Sequence, residues 1–282
     1  MEKTTMEKSR QVRAMARGRF ALAAVLALGI GQAASAQEAK RIQDNSFLLE
    51  EAYNQEPGVI QHIQVYQYLS RSKTWAYSFT EEWPAPGQAH QLSVTAPVSR
   101  LREPVNGTRV GDIALNYRYQ LVMTGPIALA PRFSFLLPTG DHREGFGSGA
   151  LGGQVNIPLS VELSDRWVTH WNAGGTFVPG SREPGGARAD TLGFNQGAGA
   201  IFSVNNNVNL MFEAAWTSFE SVQPDGTKVR DETAFLNPGL RFAVNLKSGL
   251  QIVPGVAFPI GMGPSKGESG VLAYLSFEHP LF

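Results

Sequence analysis

From Gly111 to Leu121 every second residue is apolar: Ile113, Leu115, Tyr117, Tyr119 and Leu121 share one parity, and Asp112, Ala114, Asn116, Arg118 and Gln120 share the other. That period belongs to a β-strand, whose successive side chains point to opposite faces; a helix would mix the two sets on every face. Segments of this kind recur near 59–69, 74–82, 89–99, 109–122, 127–138, 150–163, 167–178, 191–204, 208–219, 232–245, 249–259 and 270–279, which predicts twelve strands. Their connections carry a second regularity. From the fourth strand onward short links (123–126, 164–166, 205–207, 246–248) alternate with long ones rich in Gly, Pro and charge (139–149, 179–190, 220–231, 260–269), and 100–108 is also long. Transmembrane barrels alternate in this way, with short periplasmic turns and longer outer loops, whereas a soluble sandwich has no reason to. The first two connections, 70–73 and 83–88, do not follow the rule. The expected fold class is all-β: a transmembrane antiparallel up-and-down β-barrel of twelve strands over residues 59–282.

Residues 1–36 carry the marks of a cleaved signal peptide: a basic start from Lys3 to Arg19, the apolar run Phe20–Ile30, and the small residues Ala34 and Ala36 around the cleavage site. They hold six of the 24 Lys/Arg and two of the 24 Asp/Glu, so the remainder has a formal charge of −4. Mild acidity argues against nucleic acid as a partner. The chain has no cysteine, so an exported fold is not held by disulfides. No later apolar run is long enough for a membrane helix. The expected location is the outer membrane of a Gram-negative bacterium.

In a closed barrel the apolar parity meets lipid and the polar parity faces a narrow lumen. Trp75, Trp83, Trp167, Trp171 and Trp216 lie near strand ends or on the apolar parity, as interfacial girdles require. The lumen or solute-path candidates are Asp112, Asn116, Arg118, Arg132, Gln154, Glu162, His170, Asn172, Glu213, Arg241 and Glu278. Mixed charges in a narrow lumen are expected to pair, and they disfavour a strongly ion-selective pore. A salt-bridge network filling the barrel and an open solute path both fit. Pro131, Pro158, Pro238 and Pro254 interrupt strand patterns and predict bulges; Gln196 on an apolar parity predicts a register shift in the eighth strand. Leu137–Gly140, Val178–Gly180 and Phe258–Gly261 read as outer rim turns.

Residues 37–58 break the pattern. In QDNSFLLEEAYNQEPG (43–58) Asp44, Asn45 and Ser46 can cap a helix, Glu50 and Glu51 suit its first turns, and Pro57-Gly58 stops it. A helix of about ten residues is marginal alone, so it needs a dock. The expectation is a short helix in the periplasmic mouth, with Glu50, Glu51 and Tyr53 as gate residues near Arg118, Arg132 or Arg241. No catalytic constellation emerges: no histidine has a serine two positions later, and His170 with Asn172 reads as a lumen hydrogen-bonding pair. No metal site and no cofactor are expected; Asp141-His142-Arg143-Glu144 reads as a charged loop tip.

Gln43–Ile63, Gly111–Leu121, Leu137–Asp141 (LPTGD) and Ser276–Phe282 (SFEHPLF) together resemble the outer-membrane proteins of the meta-pathway phenol-degradation family. The resemblance implies an outer-membrane β-barrel and, by association, uptake of small aromatic or hydrophobic compounds. The aromatic terminus Phe282 resembles the signal read by the barrel-assembly machinery, although the parity of Val271, Ala273, Leu275 and Phe277 is out of step with it. The expected partners are outer-membrane lipid, that machinery and a small-molecule solute. The alternatives are a lipid-hydrolysing outer-membrane enzyme and a plugged structural or adhesion barrel.

Overall fold

The computed structural model describes residues 42, 44–102 and 106–280. The segment read as a signal peptide and the terminal Phe282 lie outside them. The strands are β1 (Val59–Leu69), β2 (Thr74–Pro84), β3 (His90–Leu101), β4 (Gly107–Val110, Ile113–Tyr119 and Val122–Thr124), β5 (Ile127–Leu129 and Arg132–Leu137) and β6 (Gly152–Glu162). They continue as β7 (Trp167–Arg182), β8 (Arg188–Asn205), β9 (Val208–Val222), β10 (Lys228–Phe242 and Val244–Asn245), β11 (Gln251–Ala257 and Ile260–Gly261) and β12 (Gly270–Pro280). Each pairs antiparallel with its chain neighbours, and β12 returns to β1 through Val59↔Pro280 and Ile60↔His279. The result is a closed twelve-stranded barrel with no free edge.

The faces follow the parity. Leu115, Tyr117 and Tyr119 of β4 are exposed while Asn116 and Arg118 between them are buried. The same inversion runs around the wall: Phe133, Val155, Ile157, Trp167, Trp171, Phe212 and Leu240 look out, and Ser134, Asn156, His170, Glu213, Asn237 and Arg241 look in. Trp75, Trp83 and Trp216 are half-buried on the outer face. Such a surface suits hydrocarbon outside and a hydrogen-bonded interior. One inner sector is apolar: Ile63, Val65, Val253, Ala257, Leu272 and Tyr274 form a cluster on β1, β11 and β12.

Several local expectations are corrected. Pro158, Pro238 and Pro254 sit in unbroken registers, and each simply omits one ladder bond. The register slip lies opposite Pro131, on β4, between Arg118↔Arg132 and Val122↔Leu129. A second slip on β4 falls between Val98↔Val110 and Thr95↔Ala114, at Gly111 and Asp112. Around Gln196 the pairing of β8 is continuous; its shift lies between Ser203 and Asn205. Pro179-Gly180 is a bulge within β7, and not a rim turn: the strand runs on to Arg182, with Gly180 N–H donating to Asp190. Likewise β9 and β10 extend into the range read as the loop 220–231, and β11 resumes at Ile260 after Phe258-Pro259. Strand pairing across a hairpin persists through Pro or Gly wherever the opposite strand still supplies partners.

Candidate functional site

Residues 44–55 lie inside the barrel and are not a helix. Local propensity is overridden because the wall offers the backbone better partners than its own carbonyls. The N–H groups of Leu48 and Leu49 both donate to Glu213, at 3.0 and 3.3 Å. Glu50 N–H donates to Asn172, Ala52 N–H to Ser160, Asn54 N–H to Gln120 and Gln55 N–H to Gln91, at 2.8 to 3.0 Å. The carbonyls are matched in the same way. Arg241 donates to those of Asp44 and Asn45, Asn172 to Glu50, Gln120 to Ala52, and Arg118 to Glu51 and Tyr53. Buried backbone must be satisfied somewhere, and inward side chains do it here.

The path is a circuit. From Asn45 to Gln55 the backbone meets β10, β9, β7, β6, β4 and β3 in turn, and the side chains of Asp44 and Gln55 reach β12 and β1 at its two ends. Asp44 accepts from Tyr274, Ser276 and Gln61. Phe47 lies on Gly239 of β10 and Gly255 of β11, where an added Cβ would come within 2.7 and 2.6 Å of its ring. Leu49 lies on Gly197 and Gly199 of β8, where a Cβ would fall 2.3 and 3.1 Å from its methyls. These four glycines are a seat shaped for two apolar side chains.

The acidic pair meets the arginines. Glu50 bonds Arg132 with contacts from 2.6 to 3.0 Å and also accepts from Asn156. Burial pushes the Glu50 carboxyl up, but the charge and hydrogen bonds of Arg132 outweigh it and hold it below the usual carboxylate range. Glu51 accepts from Arg241 at 2.9 Å and from Ser46 at 3.0 Å. Burial raises the Asp44 carboxyl in spite of Arg241 and its hydrogen-bond donors. Tyr53 packs edge-on to His170 at 6.3 Å. Asp44, Asn45, Glu51, Tyr53, Gln55, Gln61, Glu82 and Arg118 pack around a crevice with no room for a water molecule.

Most of the lumen candidates converge on this segment. Asn116 and Gln154 bind Arg132 from the wall side; Glu278 joins Gln61 at 3.1 Å. Two do not converge. Asp112 sits at the rim, where it accepts from Gly140 N–H and from Ser148 N–H and Oγ, and so ties down the loop 138–151. Glu162 ends β6 beside the turn, its N–H donating to Pro126. Sequence reasoning missed Asp44, Gln91, Gln120, Asn156, Ser160 and Tyr274. Gln91, Asn156, Ser160 and Tyr274 share the inward parity of their strands with the named candidates, so that parity is the signal that could have found them. Ser160 Oγ lies 2.8 Å from His170 Nδ1, and Glu51 Oε1 lies 3.7 Å from His170 Nε2. This is a serine, histidine and carboxylate in file, but Ser160 is 0% exposed and is occupied by Ala52 N–H.

No family model matches the chain, and no curated protein sequence matches it. An outer membrane channel from Pseudomonas putida F1 is similar in structure, with TM-score 0.61 and 12% identity over 85% of this chain and 99% of that one. The NanC porin is similar with TM-score 0.52 and 8% identity, over 79% of this chain and 100% of that one. At such identities the likeness is one of fold: an outer-membrane-type barrel.

Proposed function

We propose that this barrel is an outer-membrane channel taking up a small solute, and that residues 44–55 are its gate. The observation that carries the reading is how the segment is held. It crosses the lumen with its backbone bonded to side chains, and so it can leave without breaking any strand ladder. The structures it resembles are those of an outer membrane channel and a porin. The aromatic or hydrophobic class of the solute follows from the resemblance to the phenol-degradation family, and the apolar sector around Ile63, Val65, Val253 and Leu272 offers such a solute a wall. Planar-bilayer recording tests the reading. Deleting residues 37–58 is expected to convert a closed barrel into a conducting one; absence of conductance and of solute flux in both forms overturns it.

A second reading has one observation in its favour. Ser160, His170 and Glu51 have the order of a hydrolytic triad, although they face the lumen and away from lipid. A fluorophosphonate probe is expected to leave Ser160 unlabelled with the segment in place or deleted; labelling would support the lipid-hydrolysing alternative.

A further inference from the structure

The long-loop end of the barrel carries its charge unevenly. The described residues of 70–73, 100–108 and 260–269 include five cations, Arg71, Lys73, Arg100, Arg102 and Lys266, and one carboxylate, Glu268. On the other side of the same rim, residues 179–190 and 220–232 hold four Lys/Arg and six Asp/Glu. Pairing differs as well. Lys228 and Arg230 reach Glu220 at 2.8 and 3.0 Å, and Arg109 reaches Glu144 at 2.7 Å. Among the described residues none of the five cations has a carboxylate at ion-pair distance. Glu268 is occupied by backbone, accepting from the N–H groups of Arg71 and Ser72. Cations gathered without partners repel one another unless an anion joins them. We propose that this sector of the rim binds the phosphate groups of outer-leaflet lipid headgroups.

Depth and geometry both suit that ligand. Arg100 stands opposite Trp75 on the outer face of the wall. Trp75 in turn packs on Tyr66 with ring centroids 5.5 Å apart, and pairs with Tyr68 across the ladder. Trp and Tyr settle where hydrocarbon meets headgroups, so the Arg100 guanidinium lies at the depth of lipid phosphates. Its Nη2 donates to Asn106 at 3.4 Å; its Nε is shielded from water and has no hydrogen-bond partner. Two backbone contacts gather the other cations. Arg102 Nε donates to the carbonyl of Lys73, and Arg71 Nη1 to that of Lys266, both at 3.1 Å. Ser70 N–H donates to Ser269 at 2.8 Å and so joins the two turns. Each arginine is thus oriented through one nitrogen, and the rest of its fork matches phosphate oxygens. The site needs the long loops to face outward; it needs neither the gate nor a solute.

Bisphosphorylated lipid A titrated into the intact barrel in nonionic micelles, with bound lipid read by native mass spectrometry, tests the site. The lipid is expected to bind, to bind about tenfold more weakly once its phosphates are removed, and to leave as the ammonium acetate concentration rises. Arg100→Gln combined with Arg102→Gln is expected to weaken binding about tenfold, while heat-modifiable gel mobility still shows a folded barrel. Arg182→Gln combined with Arg188→Gln, on the other side of the rim, is expected to retain it. Equal binding of the dephosphorylated lipid overturns the assignment, and so does binding unchanged in the Arg100 and Arg102 variant. Inorganic phosphate that competes fully at the same concentration marks a site for a soluble anion and overturns the lipid assignment as well.

Discussion

The two halves of the lumen segment are held by different physics. Asp44–Leu49 rests on β8 to β12 by shape and hydrogen bonds together: Phe47 and Leu49 occupy seats that exist because four wall residues lack a Cβ, while Asp44, Asn45, Leu48 and Leu49 bond Tyr274, Ser276, Arg241 and Glu213. Glu50–Gln55 rests on β3 to β7 by charge and hydrogen bonds, through Arg132, Arg118, Asn172, Ser160, Gln120 and Gln91. Packing is indifferent to salt and nearly indifferent to pH, whereas a partly wet ion pair responds to both. A segment held this way combines apolar seats in its first half, which salt and pH leave alone, with ionic contacts that respond to both.

The largest effect is expected where the halves touch. Arg241→Met removes the cation that bonds Glu51 and the carbonyls of Asp44 and Asn45 together. Stranding a buried carboxylate costs about 3–5 kcal/mol, so both halves are expected to undock and limited proteolysis to cut within 44–55. Phe47→Ala, which empties the seat on β10 and β11, is expected to cost about 3 kcal/mol or more and to free the first half alone. Gly255→Ala is expected to cost about 1–3 kcal/mol by overpacking Phe47, leaving exchange in 50–55 untouched in a hydrogen-exchange experiment. Equal release of both halves in that variant would dissolve the distinction.

The smallest effect, acidity, sharpens the contrast because its sign differs between the ends. The Glu50 carboxyl is held low when docked. Its contribution to docking is therefore full above the ordinary carboxylate range and is lost as pH falls through the lowered value. The Asp44 carboxyl is raised when docked, so its contribution is full below the ordinary range and is lost as pH rises through the raised value. Hydrogen exchange followed against pH is expected to show 50–55 loosening toward acid and the neighbourhood of Asp44 tightening. Movement of both in one direction would refute the division.

How far the sequence reveals this follows from how local each signal is. Parity is local, so the strands, the apolar outer face and the inward arginines were legible, and the carboxylates of Glu50 and Glu51 meet Arg132 and Arg241. The path of residues 44–55 was not legible. Its caps and acidic first turn argue for a helix, and only the assembled wall supplies the acceptors that outbid one. Glycine has no parity, so Gly197, Gly199, Gly239 and Gly255 read as weak strand positions when they are seats. His62 and His279 stand 217 residues apart, and only closure of the sheet makes them neighbours.

The circuit of the segment carries a consequence for biogenesis. Hydrogen bonds or close contacts reach residues 44–55 from every strand of the barrel, β12 included. The anchor at Asp44 takes donors from both sides of the β1–β12 seam, so the segment's full set of contacts exists only when that seam is closed. The first-made part of the barrel chain thus completes its contacts only once the last strand is in place. Its arrival in the lumen certifies that all twelve strands are registered.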